Sequence, residues 1–424
     1  MAQAVAKHQR NLRPEYFIDI MIGDTDFNSE LMKMTIFSSI RSPFNYITLT
    51  LKSDPKKFLI EKIYGKEPIK VSINLTTEEM QLVEKVEMEL LYLKSSLPLV
   101  PAPQQALKST PDPATVQILT VPRRSTYFIN RVVNKVFLNK TMYDIVSELI
   151  QQTGAKPEIL KSGINPHVID QLVVPAIPFN KAISYIHEKW GICSGPLQYF
   201  SHFSEDKIIV RDLSKSVKEQ EHLIIHQLAL DGKSENIIKK CTDGINYYTR
   251  HFTETSYDAN IVLSRVANQV KHIVQPSDKL TDKVEYTVED LCKKHGITSK
   301  SVNLIYDPSM KTSELYIQDS TGFETNTESC YHKISRLIPF LSKITLDVEG
   351  DMRLLNLSKV GFPVRFKTYT MENLDLDGKY VLTYSKFMFN RDLKGRGRGR
   401  SNLSGSDVWT TSCRLIIGRT TKIN

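Results

Sequence analysis

Long hydrophobic runs are missing from this sequence. Nowhere does it reach the roughly 18 consecutive apolar residues of a membrane-spanning helix. The opening residues, MAQAVAKHQRNLRPEYF, hold no apolar core of the kind a secretory signal needs, and are expected to form a short basic arm. Cysteine is scarce. Cys193, Cys241, Cys292, Cys330 and Cys413 are scattered with no CxxC among them, so a disulfide framework is excluded and idle thiols in a reducing cytoplasm are expected. There is no P-loop, no G-x-G-x-x-G after a strand, no paired Cys/His cluster and no repeat of solenoid length. An excess of one charge is lacking too: 56 Lys+Arg against 47 Asp+Glu leaves +9. Such a mixed surface speaks to solubility and association rather than to a particular activity.

What is present is alternation. Tyr16, Ile18, Ile20 and Ile22 fall on one side of an extended segment, and Met32, Met34 and Ile36 repeat the pattern. After the turn at Arg41-Ser42-Pro43, the run Tyr46-Ile47-Thr48-Leu49-Thr50-Leu51 repeats it with β-favouring residues. Further strands are predicted over 69–75 and around 84–93. Residues 1–94 are thus expected to form a first antiparallel barrel or sandwich, with strands from 116–140 as candidates to join it. Pro98, Pro101, Pro103, Pro111, Pro113 and Pro122 mark 95–122 as a Pro-rich linker or long loop, because proline lacks the N–H that ladders and helices use.

The period then changes, and 123–215 reads as an α/β module with two helices and a hairpin. Thr141 with Asp144 makes a capping-box-like start, Met142, Ile145, Leu149 and Ile150 form a helical stripe, and Gly154 is suited to end it. A second helix near 180–190 carries Ala182, Ile183, Ile186 and Trp190 and stops at Gly191. LQYFSHF, a turn at Ser204–Lys207 and IIVRDL make the hairpin. Residues 216–335 read as a mixed α/β module, a candidate to complete the first barrel. They hold HLIIHQLAL, strand or helix by pattern, Tyr247-Tyr248, and a short helix capped by Thr287 and Asp290 and ended by Gly296. Strand rhythm returns over 336–424 in ITLDVEG, VGFPVRFKTY, GKYVLTYSKFMF and SCRLIIGRT, expected to form a second barrel.

Three constellations invite a chemical reading. His222 and His226 stand four apart and could share a helix face, but a zinc protease needs Glu after the first His, where Leu223 stands, and no third ligand is in view. Gly191-Ile192-Cys193-Ser194-Gly195 is not G-x-S-x-G. Cys193 follows a helix C-terminus, whose dipole disfavours a thiolate, so a helix stop and tight turn is the better reading. The third is the basic segment at 391–408, with Lys394, Arg396, Arg398 and Arg400 separated by glycines. RG-rich segments can hold nucleic acid by phosphate contacts and stacking. This one lies between two strand-like runs and lacks interleaved aromatics, so a hairpin loop or a docking element for an acidic neighbour is favoured over nucleic-acid binding.

Taken in order, several of these elements resemble a known plan. NKVFLNKTMYDIVSELIQQTG (134–154) resembles the segment of tail hub and spike proteins in which a strand feeds a capped helix. PFNKAISYIHEKWGICSGPLQYFSHFSEDKIIVRDL (178–213) resembles their next element, an anchor-rich helix, then Gly and a hairpin ending in Asp-Leu. Val360-Gly361-Phe362-Pro363-Val364 and Leu376-Asp377-Gly378-Lys379-Tyr380-Val381 resemble their closing barrel. Each is a packing pattern; order and spacing together point to the baseplate hubs of contractile-tailed phages, related to the spike-hub proteins of type VI secretion.

The resemblance implies an α+β, mainly β fold, with two tail-tube-like antiparallel β-barrels and α/β insertion domains between them. It implies a homotrimeric ring whose six barrels match a hexameric tail tube and cap a trimeric spike. The implied protein is a structural, non-enzymatic virion component of the tail baseplate, assembled in the host cytoplasm, with no cofactor and no metal. Its implied partners are the central spike protein, the tail tube or a tube-initiator protein, baseplate wedge proteins and the tape measure protein; no membrane and no nucleic acid are among them. Spike-hub fusions continue into an OB domain and a β-helix that this sequence does not contain, so the spike is expected to be a separate protein. The Pro-rich stretch and the RG segment have no counterpart in the resemblance.

Overall fold

The computed structural model describes residues 15–22, 25–40, 42–53, 69–77, 80–96, 114–161, 163–166, 168–193, 197–201, 206–213, 220–228, 244–249, 253–257, 270–276, 284–286, 313–319, 342–349, 352–357, 359–369, 376–391 and 409–419. Of the stretch 95–122 expected as a Pro-rich linker or loop, residues 95–96 and 114–122 are strand instead, paired through backbone N–H groups that the prolines do not interrupt. Residues 97–113 lie outside the described residues, as do the helix expected at 287–296 and the RG residues Lys394, Arg396, Arg398 and Arg400.

The N-terminal alternation becomes one antiparallel sheet. Its strands are β1 (Glu15–Ile22), β2 (Thr25–Asp26), β3 (Leu31–Ser39), β4 (Tyr46–Ser53), β5 (Ile69–Thr77), β6 (Met80–Ser96) and β7 (Ala114–Pro122), in the order β3-β4-β7-β6-β5-β1-β2. Ile18, Ile20, Ile22, Met34, Ile36, Ile47, Leu49 and Leu51 all turn into one core, as the alternation requires. The turn that follows β2 draws the two ends of the strand order together: Phe27 N–H donates to Ile20 O, Leu31 N–H to Phe27 O, and Lys52 N–H to Glu30 O.

The module after Pro122 has its own core. It runs α1 (Arg123–Asn130), β8 (Val132–Thr141), α2 (Met142–Thr153), β9 (Lys156–Ile159), β10 (Val168–Pro178), α3 (Phe179–Lys189), β11 (Leu197–Phe200) and β12 (Lys207–Asp212). The capping reading of α2 holds: Thr141 Oγ1 accepts the Asp144 N–H at 3.2 Å, and Gly154 closes the helix at φ 90°. The stripe Met142, Ile145, Leu149 and Ile150 meets Ala182, Ile183 and Ile186 of α3. β11 and β12 form the expected hairpin, to which β9 adds in parallel. The pattern did not announce α1, which lies within the stretch read as candidate strands.

The remaining strands are β13 (Leu223–Gln227), β14 (Asn246–Thr249), β15 (Thr253–Tyr257), β16 (Val270–Pro276), β17 (Val284–Tyr286), β18 (Ser313–Asp319), β19 (Ser342–Glu349), β20 (Pro363–Thr368), β21 (Gly378–Arg391) and β22 (Trp409–Arg419), with a short helix α4 (Met352–Leu357). Within HLIIHQLAL, Leu223–Gln227 is a strand: β13 pairs in parallel with β14 and β20. β16, β17 and β18 form a separate small sheet.

The others follow the order β14-β13-β20-β21-β22-β19-β15. Its end strands are neighbours in sequence, because Thr249 closes β14 and Thr253 opens β15. Laid flat, six strand spacings would part them by roughly 29 Å. Four steps of chain reach about 15 Å at most. This sheet therefore curls until its two ends approach.

β21 joins the two sheets. Its one edge pairs with β22 from Val381 to Arg391. Its other edge pairs first with β20, over Gly378–Val381, and then with β3, over Tyr384–Asn390. The hand-over falls at the register shift between Leu382 and Tyr384. There Leu382 bonds both Phe362 O and the Gly361 N–H, and Thr383 O accepts the Ile40 N–H. One buried cluster runs through both sheets, from Ile18 to Ile417.

Candidate docking surfaces and the joint between them

The module meets the C-terminal sheet at Gly361. The residue sits at φ +86°, and a Cβ there would collide with Gln198 Oε1 and Arg211 Nη2, so the position needs glycine both for its conformation and for the close approach. Arg211, on β12 and 1% exposed, donates Nε–H to Gln198 Oε1 at 3.0 Å and Nη2–H to Val360 O at 3.1 Å. Gln198 Nε2 reaches the same carbonyl. The guanidinium lies 3.7 Å from the centre of the Phe362 ring, a charge held over an aromatic face in a site closed to water. On the other side of the module, Ser201 N–H donates to Pro43 O and Ser201 bridges to Phe44. Hydrogen bonds thus fasten the module to both sheets.

His222 and His226 sit close to this joint, on and just before strand β13. They are not on a helix face, which removes the geometry that made a shared metal conceivable. His226 is buried, its Nε2 2.7 Å from Asn246 Oδ1 and its Nδ1 3.1 Å from Tyr369 Oη, and its ring stacks on Tyr248 and Tyr369. Burial holds its pKa below the ordinary histidine value, against the pull of the Asn246 hydrogen bond. His222 packs on Phe362 at 4.3 Å, and its pKa is lowered by burial and then by Arg211 and Lys359. His222 is a packing residue of the joint, and His226 packs between Tyr248 and Tyr369 farther along β13. No group of three or more His, Cys, Asp or Glu among the described residues could hold a metal ion.

The two cysteines among the described residues are buried thiols. Cys193 is buried where a bridge to Ile164 ends the turn after α3, and Cys413 is buried in β22, where burial and then Asp347 push the thiol well above its usual pKa.

Two features face outward. The first is the ribbon of β8 and β10. Its inner face carries Val133, Phe137, Leu172 and Val174 onto α2 and α3. Its outer face carries Val132, Val136, Leu138, Val168 and Val173, which are 40–60% exposed. Lys135 and Lys140 meet on the opposite side at Glu148 of α2, whose carboxyl they hold below its ordinary pKa. Periodicity gave no signal for this surface. A signal was available in the outward residues, which are aliphatic where a solvated strand has polar ones.

The second is the end of the β21–β22 hairpin. Arg391 faces Trp409 there, so residues 392–408 connect the two strands of one hairpin. The Arg391 guanidinium donates to the carbonyls of Asn28, Ser29 and Leu31, which ties that end to the first sheet. No helix among the described residues is long and apolar enough to cross a membrane.

No protein-family model matches the chain, and no curated protein matches it in sequence. Solved structures do. The chain is similar to a tail protein from Neisseria meningitidis MC58, 11% identical, over 95% of this chain and 96% of that one, at a TM-score of 0.50. It is similar to the 43 kDa tail protein of prophage MuSo2 from Shewanella oneidensis, 12% identical, over 96% of this chain and 99% of that one, at a TM-score of 0.51. The chain is mainly β with few helices, and it shares the fold of these tail proteins over nearly its whole length.

Proposed function

We propose that this chain is the hub-ring subunit of a contractile phage-tail baseplate, a structural protein that acts by binding alone. The observation that carries the reading is the fold shared, nearly end to end, with two tail proteins, one of them from a prophage. The curling of both sheets supports taking each as a tube-like barrel: 1–94 with β7 the first, and 336–424 with β13 to β15 the second, joined through β21. On this reading 123–215 is an insertion held to the second barrel by the Arg211 joint and to the first by the hydrogen bond from Ser201 N–H to Pro43 O. Closed barrels remove free strand edges, and ring assembly uses the edges that remain.

Three copies then present six barrels to a hexameric tail tube or tube-initiator protein and three-fold symmetry to a central spike, one part bridging two symmetries. Wedge proteins and the tape measure protein would meet the ring's outer and inner surfaces. The protein resides in the virion tail and carries no cofactor and no active site. The hairpin segment 392–408, with Lys394, Arg396, Arg398 and Arg400, is a docking loop for an acidic neighbour.

The deciding experiment is an image of the purified chain, alone and in particles. A three-fold ring with a central channel is expected. A chain that stays monomeric and forms no ring in particles overturns the reading. The competing use of the RG segment, nucleic-acid binding, requires salt-sensitive binding that is lost when Arg396, Arg398 and Arg400 become Ser.

A further inference from the structure

Ring assembly leaves open which surfaces copies share besides strand edges. We infer, resting on the ring reading, that the outer face of the β8–β10 ribbon is a contact between one copy of this chain and the next. Eight large hydrophobic side chains are exposed among the described residues, and five of them lie on this face. Val136 stands opposite Val173, Leu138 opposite Gln171 and Val132 opposite Pro178, so the aliphatic surface follows the length of the ribbon. A contiguous exposed apolar patch of this kind marks an interaction site.

Charge and size identify the occupant. The ribbon's cations, Lys135 and Lys140, are turned inward to Glu148, and Asp170 is the one acidic side chain exposed along β10. An acidic partner or a nucleic acid would be recognised by positive charge that this face does not present. Two copies of a chain with a formal charge of +9 repel one another, and they meet at least cost through a face whose one exposed charge is the acidic Asp170.

A ribbon two strands wide and ten residues long offers roughly 350 Å². A stable free-standing interface needs about 800 Å² from each partner. The face is too small to recruit a partner unaided, and is suited to a neighbour already held elsewhere, as adjacent ring subunits are. Pro175 and Pro178 in β10 lack the N–H that strand addition would use, which favours face-on packing.

The test is the self-association of the full chain, by mass photometry over a concentration series, for the native sequence and for Val136→Lys/Val173→Lys. The concentration for half-assembly is expected to rise tenfold or more in the variant while its melting temperature as a monomer is unchanged. Val136→Thr, which keeps the strand-forming shape, should weaken assembly several-fold. Ring formation by the native chain together with unaltered assembly of both folded variants overturns this inference and leaves the ring reading standing. No assembly of the native chain, alone or in particles, overturns both. In assembled particles, a Val136→Cys variant treated with a short bismaleimide should give a covalent dimer of this chain. A cross-link to a different tail component assigns the face to that component and overturns the inference.

Discussion

The N-terminal sheet and the β8–β10 ribbon are written in the same alternating pattern, but their outward residues differ in kind. β4 buries Ile47, Leu49 and Leu51 and turns Thr48, Thr50 and Lys52 outward; β7 buries Val116 and Ile118 and turns Thr115 and Gln117 outward. The ribbon buries Val133, Phe137, Leu172 and Val174 in the same manner, yet turns Val136, Leu138 and Val173 outward. One face is enough to fold either element. The second face separates a sheet that ends at water from one prepared to meet protein.

The largest expected effects test whether the two outward faces are as different as they look. Leu49→Ala in the N-terminal sheet removes a fully buried side chain and should cost about 2–5 kcal/mol in urea unfolding. Val136→Ala removes a side chain of similar chemistry from the ribbon's outer face and should change the stability of the isolated subunit by no more than about 0.5 kcal/mol. Comparable losses at both positions would mean that the ribbon face is covered within its own subunit, and the contrast would break.

Next in size is the joint that connects the two regions. Gly361→Ala imposes a side chain at φ +86° and drives Gln198 and Arg211 from Val360 O. Strain and broken charge-assisted bonds together should cost about 2–4 kcal/mol. The loss should appear as faster hydrogen exchange along β11 and β12, with α2 and the ribbon unchanged, because the module's core does not include Gly361. Uniform acceleration through the module would show that the two regions unfold as one.

Much of this contrast was present in the residues. The strands at Ile18–Ile22 and Tyr46–Leu51, the Thr141 cap, the Gly154 stop and the β11–β12 hairpin follow local rules of period and capping, and such rules are readable without a partner. Val360-Gly361-Phe362 stood out only as part of a packing pattern. Why it needs glycine depends on Arg211 and Gln198, more than 140 residues away in sequence. The path of β21, shared by β20 and then β3, was not legible either, because a strand's edges carry no mark of which partner they receive. His222 and His226 show the same limit: spacing of four suggested a helix face, and long-range parallel pairing made β13 a strand instead.

Smaller again is the cap. Thr141→Ala removes the acceptor for the Asp144 N–H at the start of α2, beneath the ribbon, and should cost about 1 kcal/mol. Thr141→Ser keeps the acceptor and should restore most of it. A full loss in both variants would move the effect from the cap to the packing of β8.

The smallest effect is a dependence on pH that separates the regions by chemistry. His226 and His222 have pKa values lowered in the folded chain, in each case first by burial. The unfolded chain, with histidine near 6.5, therefore takes up protons first as the solution is acidified. The stability held by these residues is complete above about pH 6.5 and is lost as pH falls from there through the lowered folded values. Glu148 beneath the ribbon is lowered by Lys135 and Lys140, so its contribution survives to the carboxylate range and is lost only below about pH 4.3. Between pH 7.5 and 5 the sheet around β13 should lose stability while the ion pairs under the ribbon stay intact. Denaturant unfolding at the two pH values measures the slope, and His222→Gln/His226→Gln should flatten it, because glutamine keeps hydrogen-bonding capacity without titrating. An undiminished slope in that variant would place the acid sensitivity on other histidines and remove the joint from the account.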